Sequence, residues 1–362
     1  MGAVVLSDLH LGTVTRRDLL RRRDALDALA ERVRGADHVV LLGDVLELRE
    51  APLAEALRDS ELFFRTLGAA VGDAPVTIVP GNHDHRLAAP LVEAFRAEGT
   101  HDALATGASI AAPRNGPLGR IGAWLGAPEL RLAYPGMWLR DDVYATHGHY
   151  LDCHVAIPTI ERLVIAATTR ALGQLGPGAR SADDYEAAVE PIYDLAYVLA
   201  QTSHRGRRVT GTSRSTVVWQ QLSRTHGGRR LGTRVLAQAV VPAAVAILNR
   251  AGVGPLTADL SGESLRRAGL RAMAEVLGNL GIDGAHVVFG HTHRSGPWPR
   301  DDFAEWQLPG GGRLTNTGSW VHEPAFLGDS PRASPYWPGT VVAVDDGQPP
   351  RLERVLETLP PA

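Results

Sequence analysis

The sequence is short of cysteine and has no lysine at all. One cysteine, Cys153, stands among 362 residues, which excludes an intrachain disulfide and any thiolate-built zinc or iron–sulfur site, and fits a reducing compartment. A metal ion, if the chain holds one, must sit on His, Asp, Asn or Glu. All 37 basic residues are Arg, whose planar guanidinium grips phosphate in two places and does not titrate. Nor is there an excess of either charge: 37 basic against 40 acidic residues leave a formal net charge of -3, without the basic surplus of a nucleic-acid coat. A hydrophobic content of 44% argues against a disordered chain. Long apolar runs are missing too. The longest, Val235 to Leu248, is 14 residues interrupted by Gln238 and Pro242, too short to span a bilayer. No basic segment or cleavage site precedes Ser7 and Asp8, so the expectation is a cytoplasmic protein, with peripheral contact at the inner membrane face as a variant.

Over the first 150 residues, short β-branched runs alternate with amphipathic stretches, a βαβ signature. Strands are expected at Ala3–Leu6, His38–Leu42, Val76–Val79 and Val143–Thr146, with a hairpin over Leu132–Leu139 around Pro135 and Gly136. Helices are expected at Asp18–Arg34, Ala54–Leu67 and Leu87–Glu98. From Leu151 to about Gly284 the texture changes to Ala/Leu/Arg-rich segments that read as helices: Ile157–Leu175, Ala182–Thr202, Thr216–Arg224, Arg234–Arg250 and Glu263–Leu280. Strand patterns return at His286–Phe289, Leu314–Thr315 and Val341–Val344. The chain thus divides into a discontinuous α/β core, 1–150 and 285–346, a helical cap insertion, 151–284, and a C-terminal extension, 347–362, whose Pro-rich end is a loose tail.

In five places an apolar strand ends and metal-competent side chains follow at once: Ser7-Asp8-Leu9-His10, Gly43-Asp44-Val45-Leu46-Glu47, Pro80-Gly81-Asn82-His83-Asp84, His147-Gly148-His149 and Gly290-His291-Thr292-His293. Ligands gather beyond the carboxyl ends of strands in open α/β sheets, so the five clusters should converge. His, Asp and Asn without thiolate suit Mn, Fe or Zn, and a carboxylate can bridge two ions. Two metals about 3.5–4 Å apart clamp the attacking and leaving oxygens of an in-line displacement, the logic of phosphate ester hydrolysis. The glycines beside these ligands, Gly43, Gly81, Gly148 and Gly290, allow sharp turns and close approach.

The ordered series Asp-x-His, Gly-Asp-x-x-Glu, Gly-Asn-His-Asp, His, Gly-His-x-His resembles the calcineurin-like metallophosphoesterases, over Met1 to Tyr150 and about Ala285 to Trp320. The resemblance implies a four-layer α-β-β-α sandwich and two divalent metal ions, Mn first, with Fe or Zn as alternatives. It implies that Asp8, His10 and His293 hold one metal, that Asn82, His147 and His291 hold the other, and that Asp44 bridges them. A water or hydroxide between the metals would attack phosphorus. His83 would protonate the leaving oxygen or brace the phosphoryl group, and Asp84 would orient His83 through a hydrogen bond. Only Glu47 departs from the pattern, where Asp is commoner, at a position that supports the site without touching metal. His149 faces either the substrate or the cleft wall; His85, His154 and His322 read as structural, and Arg16, Arg17, Arg21, Arg22 and Arg23 as a solvated helix face.

Within the superfamily the chain is also similar to the UDP-diacylglucosamine pyrophosphatases, which begin Ser-Asp-Leu-His-Leu and hold acyl chains between inserted helices, but which typically have Arg where this chain has His83. The implied activity is hydrolysis of a phosphomonoester, phosphodiester or pyrophosphate bond, on a small, nucleotide-linked or lipid-linked substrate. The alternatives are an SbcD-type nuclease, which the slightly acidic balance disfavours, and a non-catalytic scaffold. No stable nucleic-acid partner is expected, the cap is the candidate membrane contact, and the oligomeric state stays open.

Overall fold

The computed structural model describes residues 2–97, 104, 106–126, 129–154, 181–202 and 262–358. The expected helices Ile157–Leu175, Thr216–Arg224 and Arg234–Arg250, the apolar stretch Val235–Leu248 and the tail Leu359–Ala362 lie outside the described residues. Among the described residues there are eleven strands: β1 (Ala3–Leu6), β2 (His38–Leu42), β3 (Val76–Val79), β4 (Ser109–Ala111), β5 (Leu130–Ala133), β6 (Gly136–Arg140), β7 (Val143–Thr146), β8 (His286–Phe289), β9 (Leu314–Asn316), β10 (Thr340–Val344) and β11 (Arg351–Arg354). The α-helices are α1 (Arg23–Val33), α2 (Leu53–Val71), α3 (Ala89–Ala97), α4 (Gly116–Leu125), α5 (Ala182–Thr202), α6 (Gly262–Asn279) and α7 (Pro324–Leu327).

The strands form a seven-stranded sheet in the order β11-β10-β1-β2-β3-β5-β4 and a four-stranded sheet in the order β6-β7-β8-β9. In the first, β1, β2, β3 and β5 run parallel, with Val5 opposite Val40 and Leu41 opposite Ile78. In the second, β7, β8 and β9 are parallel. One apolar cluster joins Val5, Val40, Leu42, Val79 and Val342 of the first sheet to Val143, Ala145 and Val288 of the second. Their neighbours Val4, Val39, Leu41 and Ile78 alternate to the opposite face of the pleat and are equally buried. Burial on both faces explains why these strands read as continuous apolar runs. Helices α1, α2 and α4 pack side by side and bury Leu26, Leu29 and Val33, then Phe63, Phe64 and Leu67, then Leu118 and Ile121, each set at helical spacing. The chain therefore forms the α/β sandwich that its sequence implies.

Several boundaries differ. The expected hairpin over Leu132–Leu139 is absent: β5 and β6 belong to different sheets, and the chain changes sheet at Tyr134–Pro135. The helix expected from Asp18 begins only at Arg23. Ahead of it, the Asp18 carboxylate accepts from the Arg21 side chain and from the Gly12 amide, and the Leu19 amide donates to Trp320. Helix α2 continues to Val71 and stops at Gly72, whose φ of 61° suits glycine. The 347–362 extension carries an element of its own, since β11 pairs with β10 as a short, Arg-rich edge.

The chain clusters into two compact units: Met1–His149 with Tyr193–Arg205 and Ile282–Ala362, and Tyr150–Ile192 with Gly206–Gly281. Tyr193 groups with the first because its ring is buried against those of His85 and His149. Within the second unit, Tyr150 stacks on Tyr185 with centroids 4.9 Å apart. The Tyr150 hydroxyl donates to Glu186, and Tyr185 is held by His154 at 2.6 Å and by Asn279 at 2.9 Å. His154, which also pairs with Glu275, is thus a half-buried structural residue of the helical unit. Among the described residues, no helix is long and apolar enough to cross a membrane.

Candidate metal centre

Each of the five clusters emerges from the carboxyl end of a strand: Asp8 and His10 from β1, Asp44 from β2, Asn82 and His83 from β3, His147 from β7, and His291 and His293 from β8. The loops are laced together by main-chain bonds. The Asp8 amide donates to Gly43, the His10 amide to Asp44, the Gly290 amide to His147 and the Trp320 amide to Asp8, all within 2.8–3.0 Å. Among the described residues, six other than glycine have positive φ; five are Asp8, His10, Asp44, His291 and His293, between 46° and 67°, and the sixth is Arg16. The left-handed region is costly for most side chains and tolerated by Asp and His, so strain is concentrated where the donors are aimed. At Gly43 and Gly290 a Cβ would collide with the His147 ring and with Ser7 and Asp8, so the close approach expected at these positions is real.

Three sets of side chains present ligand atoms within 4.8 Å of one another: Asp8, His10 and His293; His10, Asp44 and His83; Asp44, His147 and His291. Asp44 Oδ2 lies 3.3 Å from His147 Nε2 and 3.7 Å from His10 Nε2, while its Oδ1 accepts from the His83 amide at 2.7 Å. The carboxylate therefore stands between two donor groups.

The donor set fits cations. His147 Nδ1 donates to the Leu42 carbonyl at 2.9 Å and His10 Nδ1 to Glu47 at 2.9 Å, which leaves each Nε2 in the neutral ring with its lone pair turned into the site. Asp8 Oδ2 accepts from the His291 amide and from Ser7, but buried Asp8 Oδ1, 3.3 Å from His293 Nε2, has no hydrogen-bond partner. With its carboxamide oxygen inward, Asn82 faces His147 Nε2 at 3.3 Å and His291 Nδ1 at 3.2 Å. A buried oxygen without a donor costs free energy, and a divalent ion supplies the missing positive partner.

The electrostatics agree. Burial alone would raise the Asp44 carboxyl, but His147, His83 and His10 hold it well below the usual carboxylate range. Burial pulls His10 down, yet the bond to Glu47 and the charges of Asp44, Glu47 and Asp8 lift it to about 9. His147, pulled down by burial, is lifted to about 10, chiefly by Asp44. His293 is lowered to about 4, by burial against the pull of Asp8. In the metal-free protein, protons take the places that suit a cation.

Asp84 does not orient His83. Its buried carboxylate accepts from four backbone amides, those of Gly81, Asp44, Val45 and Leu46, at 2.7–3.2 Å, and so ties the β2 and β3 loops together. A carboxylate just after a turn finds unpaired amides closer than any side chain. Glu47 takes the orienting part: its carboxylate lies 2.8–2.9 Å from His83 Nδ1 and also holds His10 Nδ1. The methylene that distinguishes Glu from Asp lets one carboxylate reach both rings. Its second function has no motif of its own in the sequence. His149 does not reach toward substrate. It is 1% exposed, bonded to Tyr134 at 3.1 Å, beside His147 and His85. Four arginines of the run are in ion pairs, Arg17 with Glu323, Arg21 with Asp18, Arg22 with Asp24 and Arg23 with Asp27.

No curated protein matches the chain. The model of the calcineurin-like phosphoesterase superfamily domain matches residues 1–114, the stretch that supplies Asp8, His10, Asp44, Asn82 and His83. Residues 1–114 are thus similar to a calcineurin-like phosphoesterase superfamily domain, and His and Asp clusters able to hold a divalent metal stand at the strand ends.

Proposed function

We propose that the protein is a binuclear metal-dependent hydrolase of phosphoric ester or pyrophosphate bonds. Asp8, His10 and His293 hold one divalent ion; Asn82, His147 and His291 hold the other; and Asp44 serves both. The observation that carries this reading is the position of Asp44 Oδ2, within 3.7 Å of one His from each set. When bound, the ions supply Lewis-acid polarisation of a phosphoryl oxygen and a lowered pKa for the attacking water. The residues do the rest. Glu47 fixes His83 Nδ1–H, so that Nε2, on a side chain 23% exposed, delivers the proton to the leaving oxygen. Glu47 and Leu42 lock the tautomers of His10 and His147, and Asp84 keeps the Asp44 and Asn82 loops in register.

Stripping the protein with chelator and restoring Mn, Fe or Zn tests the proposal. Two equivalents of metal by elemental analysis, with hydrolysis of nitrophenyl phosphate or bis-nitrophenyl phosphate that follows metal content, are expected. Hydrolysis unaffected by chelation, or one equivalent at saturation, overturns it. A panel of nucleotide-sugar pyrophosphates, phospholipid head-group esters and single-stranded DNA then assigns the substrate class, with the first two expected ahead of DNA.

A further inference from the structure

Strand β9 runs parallel to β8, and its last residue spends its side chain on the neighbouring loop. Asn316 is buried and stands opposite Phe289, where β8 ends. The loop 290–296 leaves from there and returns to the same residue: the Asn316 amide donates to the Gly296 carbonyl at 2.7 Å, and the Gly296 amide to the Asn316 carbonyl at 3.1 Å. Between those ends the carboxamide reaches across the loop. Its NH2 group donates to the Gly290 carbonyl at 2.9 Å and to Thr292 Oγ1 at 3.0 Å, while its oxygen accepts from the Gly318 amide at 2.9 Å. A carbonyl on one side and an amide on the other fix which end is which. The loop needs such a clamp. The Thr292 amide donates to Gly290 at 2.7 Å, closing a three-residue turn centred on His291, whose φ is 67°, and His293 follows at 57°. Three-residue turns with positive φ are rare and strained, and strain persists only where the surroundings over-determine it. The carbonyl that closes this turn is the one that Asn316 holds, and Thr292 stands between the two histidines.

We propose that Asn316 is a positioning residue for both metals: by clamping Gly290 and Thr292 it aims His291 at the ion shared with Asn82 and His147, and His293 at the ion shared with Asp8 and His10. The inference rests on the binuclear reading above, in which the two rings serve different ions. A residue that orients a metal ligand contributes roughly 10- to 100-fold in metal affinity. One that holds two ligands spreads that contribution over two ions.

The test uses the full chain, stripped of metal and titrated with Mn(II) by calorimetry, beside elemental analysis and the melting temperature of the metal-free protein. Asn316→Ala should weaken the binding of both ions by roughly 10- to 100-fold. Thr292→Val, at an exposed position, removes one of the two acceptors and should weaken both by roughly fivefold, the worth of one neutral hydrogen bond. Thr292→Ser keeps the hydroxyl and should match wild type. Val288→Ala, in the core of β8, gives the comparison for lost stability: its melting temperature should fall with both affinities unchanged. Wild-type affinity for both ions in Asn316→Ala overturns the proposal whatever its melting temperature, as does an equal loss of affinity in Val288→Ala, and both results leave the binuclear reading standing. Weakening of one ion alone in Asn316→Ala overturns the claim that one clamp serves both. If Asn316→Ala does not fold, Thr292→Val decides, and wild-type affinity in that variant overturns the proposal. Fewer than two ions on the wild-type protein overturns the binuclear reading and the proposal with it.

Discussion

The space between the two sheets and the loops just beyond it are a few residues apart along every strand, yet they follow opposite rules. Val5, Val40, Val79 and Val288 are apolar, fully buried and in ordinary strand conformation. A few residues on, the chain puts Asp8, Asp44 and His291 into left-handed backbone, buries a carboxylate oxygen without a donor and turns imidazole lone pairs toward each other. The first region stabilises the fold and the second draws on that stability to hold an arrangement that fits a divalent cation. Substitution in one should therefore cost stability and in the other function.

The largest separation is expected at Asp44. Asp44→Asn removes a negative charge shared by both donor sets, so bound metal should drop well below two equivalents and turnover by roughly four orders of magnitude, about 5.5 kcal/mol. The metal-free melting temperature near neutral pH should fall as well, because the carboxylate is paired with the raised His10 and His147 rings and its loss leaves them without their partner. Elemental analysis and calorimetry check both parts; two full equivalents in Asp44→Asn would sink the assignment.

His83→Ala should keep both metals and lose roughly 10²–10⁴ in turnover. The loss should shrink with nitrophenolate as leaving group, which needs less protonation. Glu47→Gln should reproduce part of that dependence, since it frees the His83 ring, and Asp84→Asn should not. Equal loss on good and poor leaving groups would argue for phosphate binding instead of proton delivery.

Asp84 and Val40 sharpen the boundary from the other side. Asp84→Ala strands four backbone amides at roughly 1–3 kcal/mol each when buried, so at least about 3 kcal/mol of stability should go. Val40→Ala should cost about 2 kcal/mol through lost burial and a small cavity, with kcat unchanged in the folded protein. Denaturant melts of both, read beside kcat, distinguish tethering of the loops from packing of the core.

That boundary also decides what was legible beforehand. Strands buried on both faces announce themselves as β-branched runs, so β1, β2, β3, β7 and β8 and the donors at their ends could be read from spacing alone. Helix α4 could not, because Gly116, Gly119 and Gly122 dilute its apolar stripe of Leu118, Ile121 and Trp124; Asn115 and Pro117 were its only start signals. The split of β5 and β6 between sheets follows from the pairing of β5 with β3, distant in sequence, while β6 pairs with its neighbour β7, and a local pattern is blind to the first of these. The exchange of parts between Asp84 and Glu47 was hidden for a related reason. Sequence order made Asp84 the neighbour of His83, while chain geometry brought Glu47, 36 residues away, to its ring.

The smallest effect is a count of protons. Without metal, His10 is lifted to about 9 and His147 to about 10, so near pH 7.5 both rings are protonated, and a divalent ion must displace those protons to reach Nε2. Calorimetric titrations in buffers of different ionisation enthalpy should show release of roughly one to two protons per chain on loading. The same shifts set the pH dependence of the metal-free fold. A folded pKa raised above the ordinary His value of about 6.5 contributes stability that is fully present below that value and is lost as pH rises through the folded pKa. The metal-free melting temperature should therefore fall between pH 7 and pH 10, while the metal-loaded protein, whose rings carry no such protons, should be flatter over the same window. Parallel curves, or loading without proton release, would mean that these histidines do not face the ion, and the contrast between a satisfied core and a site waiting for a cation would fail where it starts.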